Sequence, residues 1–314
     1  MLYPMIEPYQ KHYIQVDAVH TLYVEEAGHP KGLPVLITHG GPGFGCDTHY
    51  RCFFDPAVYR MVIFDQRGCG RSTPAPCLVN NLTEHTLSDI EFIREQLGID
   101  RWAYFGGSWG SRLGLAYAQE YPARIVAMVL RGIYFADQND INWFYGDQGA
   151  AQINLDYYRD LQKLVPGQTG LSLLKYYHKM LTGKDDALRR KAAQAYTLWT
   201  VRNCTLMLNP DLIQLWANDM HTSLCFSLIS THYLLSDPYL KQNHPLDKID
   251  AIAHIPAAII HGRYDMICRA QNAWQLHDKW QKSRLALCNC GHASSEKHIQ
   301  QALLDAAQTL KQYF

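Results

Sequence analysis

Phe105-Gly106-Gly107-Ser108-Trp109-Gly110-Ser111 is the stretch on which the fold turns. It holds a G-x-S-x-G pattern between an apolar run, Trp102–Gly106, and a Leu- and Ala-rich stretch of helical spacing, Gly110–Glu120. Strand, sharp turn, helix is the setting of a nucleophile elbow, where glycines two before and two after the serine avoid clashes that a side chain would make. Such a turn lifts the hydroxyl above the sheet edge. It also offers backbone N–H groups of the helix N-terminus to a forming oxyanion.

Working outward, Leu33–His39, Arg60–Asp65 and Ile125–Leu130 are further short apolar runs, each leading into a glycine-rich or charged turn. This is the pattern of buried parallel strands. Between them, Thr86–Leu97 carries Leu87, Ile90, Ile93 and Leu97 at helical spacing. Alternating strands and helices with short connections imply an α/β architecture, a mostly parallel sheet flanked by helices.

From about Ile133 to Lys248 the texture changes to successive helical stretches: Asp147–Leu164, Leu171–Leu181, Asp185–Asn203, Asp211–Asn218 and His221–Leu235. Pro166-Gly167, Asn209-Pro210 and Asp237-Pro238 are breakers between several of them. The strand pattern resumes at Ala257–His261 and Leu285–Leu287, and an amphipathic helix, Glu296–Gln312, follows. The expected organisation is a catalytic core of residues 1–132 plus 249–314, interrupted by a helical cap at residues 133–248.

Composition excludes several classes. The chain has 314 residues, 47% hydrophobic and 18% charged, which is enough to bury a large core and excludes disorder. Lys+Arg 29 balance Asp+Glu 29, so nothing favours a nucleic-acid or acidic-membrane partner. No run of about 18 uncharged apolar residues suggests a membrane span, and Met1–Gln10 does not read as a signal peptide. Nine scattered cysteines read as free thiols of a cytoplasmic protein. No set of Cys and His has zinc-type spacing, so no metal is expected. Gly68-Cys69-Gly70-Arg71-Ser72 lacks the third glycine of a dinucleotide fingerprint, Thr73 standing there, so no cofactor is expected either.

A serine hydroxyl needs a base to take its proton and an acid to orient that base, in the chain order serine, acid, histidine for this kind of elbow. Asp265 follows the late strand Ala257–His261 through Gly262-Arg263-Tyr264. His292 follows Leu285–Leu287 through Cys288-Asn289-Cys290-Gly291. Ser108, Asp265 and His292 are therefore the candidate catalytic residues. The candidate oxyanion donors are the N–H of Trp109 and that of Gly41, in His39-Gly40-Gly41-Pro42-Gly43 after the first strand.

His39–Gly43, Asp65–Ser72, Gly106–Ser111, Leu130-Arg131-Gly132-Ile133, Trp143-Phe144-Tyr145, Gly262–Asp265 and Gly291-His292 together resemble the bacterial proline iminopeptidases. The likeness runs from about Tyr9 to the C-terminal helix. It implies an α/β-hydrolase fold and a metal-free serine aminopeptidase that releases N-terminal proline from peptides under a helical cap. It also implies substrate contacts at Tyr134, Phe144, Thr200, Ser230, Leu234 and Cys268. Where the resemblance calls for two cap glutamates holding the substrate's α-ammonium, this sequence carries Thr200 and Ser230. The expected partner is a small peptide or a small-molecule amide or ester, with no nucleic acid and no membrane. A diverged hydrolase of esters or other amides is the alternative, and a binding protein without turnover the minor one. Oligomeric state is not legible in the sequence.

Overall fold

A computed structural model describes residues 1–314. Its sheet opens with β1 (Gln10–Gln15) and β2 (Thr21–Gly28), which pair antiparallel. Six more strands follow: β3 (Leu33–Thr38), β4 (Tyr59–Phe64), β5 (Trp102–Gly107), β6 (Ile125–Arg131), β7 (Ala257–Gly262) and β8 (Ser283–Cys288). The spatial order is β1-β2-β4-β3-β5-β6-β7-β8; β2 lies antiparallel to β4, and every later pairing is parallel. The fold is the mostly parallel α/β sheet that the sequence implies, with an antiparallel pair added at one edge.

The parallel strands are buried on both faces, and their side chains divide between two cores by simple alternation. Val35, Ile37, Met61, Ile63 and Phe105 point to one face, where α12 (Lys297–Thr309) packs through Ile299, Leu303 and Leu304. Leu36, Val62, Phe64 and Tyr104 point to the other. There they meet α1 (Thr83–Gln96), α2 (Trp109–Glu120) and α11 (Ala270–Lys279). Each fully buried Leu, Ile or Phe contributes about 1.5–3 kcal/mol, so this double burial dominates the fold's stability.

Between β6 and β7 the chain is helical: α3 (Gln138–Tyr145), α4 (Ala150–Ile153), α5 (Leu155–Gln162), α6 (Gly170–Leu181), α7 (Asp186–Arg202), α8 (Pro210–Asn218), α9 (Met220–Ser236) and α10 (Pro238–Gln242). The single helix expected at Asp147–Leu164 is broken at Asn154, whose side chain donates to Asn203 Oδ1 at 2.7 Å. Helix α2 grips both ends of this helical segment. Ser111 Oγ accepts from Tyr134 N–H, and Arg112 donates to the carbonyls of Phe135 and Asn243. Gln119 donates to the carbonyl of Pro245. No described helix is long and apolar enough to cross a membrane.

Candidate active site

Strand β5 ends at the elbow. Ser108 has φ 59° and ψ −123°, a strained backbone for a residue with a side chain, and helix α2 begins at the next residue. The flanking glycines are sterically required. A Cβ on Gly106 would lie 2.6 Å from Thr38 Oγ1, and one on Gly110 would lie 2.8 Å from the Thr38 carbonyl.

Asp265 and His292 come from the turns after β7 and β8. His292 Nδ1 and Asp265 Oδ2 are 2.7 Å apart, and both residues are buried. Asp265 Oδ1 accepts the N–H groups of Ile267 and Cys268, at 2.9 and 2.8 Å. Burial alone would push this carboxyl up, but His292, His261 and the Cys268 N–H hold it below the ordinary value. Burial pulls the His292 pKa below 6.5, with Asp265 opposing. A neutral imidazole beside an ionised carboxylate follows, the resting state a general base needs. His261 also lies near Asp265, Nε2 to Oδ2 being 3.6 Å. Its Nδ1 accepts from Ile133 N–H, so its Nε2–H points to the Cys268 carbonyl, and it buttresses the turn.

A cavity of about 230 Å³ opens over Ser108. Gly41, Ser108, His292, Tyr134, Phe144, Thr200 and Ser230 all line it. Trp109 is buried directly behind the serine, where its backbone N–H begins α2. Two expected contacts are not among the lining residues. Leu234 turns into the apolar core from α9. Cys268 is fully buried beneath the site, and burial raises its pKa well above the ordinary value.

The inner end of the cavity is neutral. Ser230 Oγ is 3.0 Å from Tyr196 OH, which also meets Tyr145 OH, and the Thr200 hydroxyl donates to the Tyr196 carbonyl. Among the described residues lining the cavity, Asp47 is the one carboxylate, and it is exposed. Neither Asp219 nor Asp237 reaches the cavity: Asp219 caps α9, while Asp237 accepts from Thr83 N–H and Oγ1 at the start of α1.

Two supporting residues escape a reading of motifs. Gln66 joins the two candidate oxyanion arms, donating to the His39 carbonyl and accepting from Trp109 Nε1 at 2.9 Å. Arg131 lines the cavity, donates to the His292 carbonyl at 2.8 Å and has no carboxylate at ion-pair distance among the described residues. Each lies within a stretch that carries the family resemblance, but only the fold makes it a bridge.

A family model described as the alpha/beta hydrolase fold matches residues 34–299. A proline iminopeptidase of Arabidopsis thaliana is 42% identical over 99% of this chain and 82% of its own length. One from Xylella fastidiosa is 42% identical over 98% of each chain, and one from Neisseria gonorrhoeae 35% over 98% of each. The chain belongs to the proline iminopeptidase family. A crystal structure of proline iminopeptidase from Mycobacterium smegmatis superposes with a TM-score of 0.66 at 18% identity, covering 97% of this chain and 98% of that one. At that identity the superposition speaks for the α/β-hydrolase fold alone. Within this proline iminopeptidase family member, Thr200 and Ser230 stand at the inner end of the cavity, where the resemblance calls for glutamates.

Proposed function

We propose that this chain is a serine hydrolase that releases N-terminal proline from short peptides through an acyl-enzyme. Ser108 attacks the scissile carbonyl, and its proton passes to His292 Nε2. Asp265 holds the imidazole by its Nδ1–H and stabilises the cation that forms. The N–H groups of Trp109 and Gly41 receive the oxyanion, about 3 Å being the distance such donors need. The imidazolium then protonates the leaving amine, water enters, and the same base activates it to free the prolyl product. The observation that carries this reading is the strained Ser108 backbone facing the same cavity as the His292–Asp265 pair.

We take the helices between β6 and β7, within residues 133–248, as the cap that closes over the cavity and presents Tyr134, Phe144, Thr200 and Ser230 to the acyl group. The free thiols fit a cytoplasmic setting. One observation favours a second reading, the hydrolysis of esters or of amides without a free amine. The inner cavity presents hydroxyls where an α-ammonium would need a carboxylate. A panel of proline 4-nitroanilide, its N-acetyl derivative and 4-nitrophenyl esters decides between them. Fast turnover of the free-amine anilide alone supports the aminopeptidase. Turnover of the acetylated anilide and the esters alone supports the second reading, and hydrolysis of none overturns both.

A further inference from the structure

The turn that carries His292 is not held by the catalytic core alone. Cys204, in the turn between α7 and α8, accepts with its carbonyl both the His292 and the Ala293 N–H, at 2.8 and 2.7 Å. Next to it, Glu296 Oε1 accepts Leu206 N–H from that same turn and Gly291 N–H from the histidine turn, each at 2.8 Å. The two turns are pressed together: a Cβ on Gly291 would stand 2.7 Å from both Glu296 Oε1 and Leu206 N. Two direct hydrogen bonds and a two-bond bridge through Glu296 therefore clasp residues 291–293 to residues 204–206. Both sides of the clasp face the cavity, through Cys204 on one side and His292–Ser295 on the other.

We propose that Glu296 is a positioning residue, the pin of a clasp that lets the helical segment between β6 and β7 set where His292 stands over Ser108. The inference rests on His292 being the base. Asp265 fixes the far edge of the imidazole and Arg131 holds the His292 carbonyl, but the N–H side of that backbone is anchored at Cys204 and, through Glu296, at Leu206. A single carboxylate oxygen serving one N–H from each turn ties them together, as no bond within either turn does. When the helical segment shifts, the histidine turn shifts with it, so a substrate that fills the cavity and seats the segment also sets the base.

The test compares Glu296→Ala with Glu296→Gln in the full chain, using whichever of proline 4-nitroanilide and 4-nitrophenyl butyrate the wild type turns over. An amide keeps an acceptor oxygen, so Glu296→Gln is expected to hold kcat within about threefold. Glu296→Ala is expected to lower kcat by about 10²-fold with KM little changed, the scale of loss when a catalytic group is displaced by about an ångström. Rates are normalised to the folded fraction measured by circular dichroism. Near-wild-type kcat per folded Glu296→Ala molecule would overturn the proposal, as would equal losses in Ala and Gln. A His292→Ala variant that stays active would overturn the catalytic assignment itself, independently of how the Glu296 pair behaves.

Discussion

Asp265 meets His292 through one carboxylate oxygen, Oδ2 to Nδ1 at 2.7 Å, while its other oxygen is occupied by two backbone N–H groups. The carboxylate therefore cannot rotate to follow the ring. It imposes one orientation and one tautomer on the imidazole, with the proton on Nδ1 and the lone pair of Nε2 free toward the cavity.

Ser108→Ala is expected to abolish turnover of amides and esters alike, with kcat falling on the order of 10⁴-fold or more, because the triad acts as a unit. Asp265→Asn should fall about 10⁴-fold too, since the amide can hold the ring in the wrong tautomer. Steady-state kinetics on folded protein checks both. Near-wild-type rates in Ser108→Ala would place the nucleophile elsewhere.

The acid limb of kcat/KM is expected below pH 6.5. Burial holds the His292 pKa beneath that ordinary value, so the neutral base survives as pH falls past it. Stability carries the same sign. Between pH 6.5 and the lower folded-state value only the unfolded chain binds the proton, so His292's contribution is complete above 6.5 and is lost as pH falls through that window. Rate–pH profiles and urea melts across the range read both effects. An acid limb above 6.5 would contradict the assignment of a buried neutral base.

Thr200→Glu combined with Ser230→Glu is expected to raise prolyl-amide turnover relative to ester turnover. A charge-assisted hydrogen bond is worth about 1.5–3 kcal/mol, so two absent contacts correspond to about 10²–10⁴ in kcat/KM. Under the second reading, hydrolysis of esters or of amides without a free amine, wild-type activity on proline 4-nitroanilide is weak and N-acetylation reduces it little. Strong activity that collapses on acetylation would sink this expectation and direct attention to Asp47, the carboxylate at the cavity wall.

Ser108→Gly is expected to be inactive yet more stable than Ser108→Ala. Both lose the hydroxyl, but only glycine relieves a backbone at φ 59°. Such strain stores about 1–3 kcal/mol, partly offset by about 0.4–1 kcal/mol from glycine's freer unfolded chain. Denaturant midpoints compare the two. Equal midpoints would mean that the elbow's strain is no larger than that offset.

The parallel strands and the candidate triad were legible because each is written in a local pattern: an apolar run, then a turn, then a reactive residue. The antiparallel edge was not. Along β2, Glu25 and Glu26 interrupt the apolar pattern, yet both are buried because Arg51 and Arg60 reach them at 2.6 and 2.5 Å from distant parts of the chain. In β1 the exposed residues are Gln10, Lys11, Tyr13 and Gln15, and no apolar run marks the strand locally. Helix α1 starts at Thr83 rather than Thr86; its N-cap residue Leu82 offers no side-chain bond, and the Thr83 N–H and hydroxyl are taken by Asp237, far along the sequence. Asp147–Leu164 read as one helix because the side chain that meets Asn154 at the break is Asn203, also distant. At the site, Leu234 is a contact the resemblance implies, but helical rotation turns it into the core. Gln66 and Glu296 matter only through bonds that close in three dimensions.

The grip of α2 on the helical segment carries a consequence for how this scaffold changes. Ser111, Arg112 and Gln119 hold that segment at Tyr134, Phe135, Asn243 and Pro245, and in all but the first of these contacts the group held is a backbone carbonyl. Backbone anchors do not depend on which side chains the segment carries. The cavity wall, Thr200 and Ser230 included, can therefore be rewritten, or whole helices exchanged, without disturbing the elbow. The Cys204–Leu206 turn is the exception. Any transplanted segment has to recreate that turn, so a chimera that respects the α2 anchors but omits it should fold well and catalyse poorly.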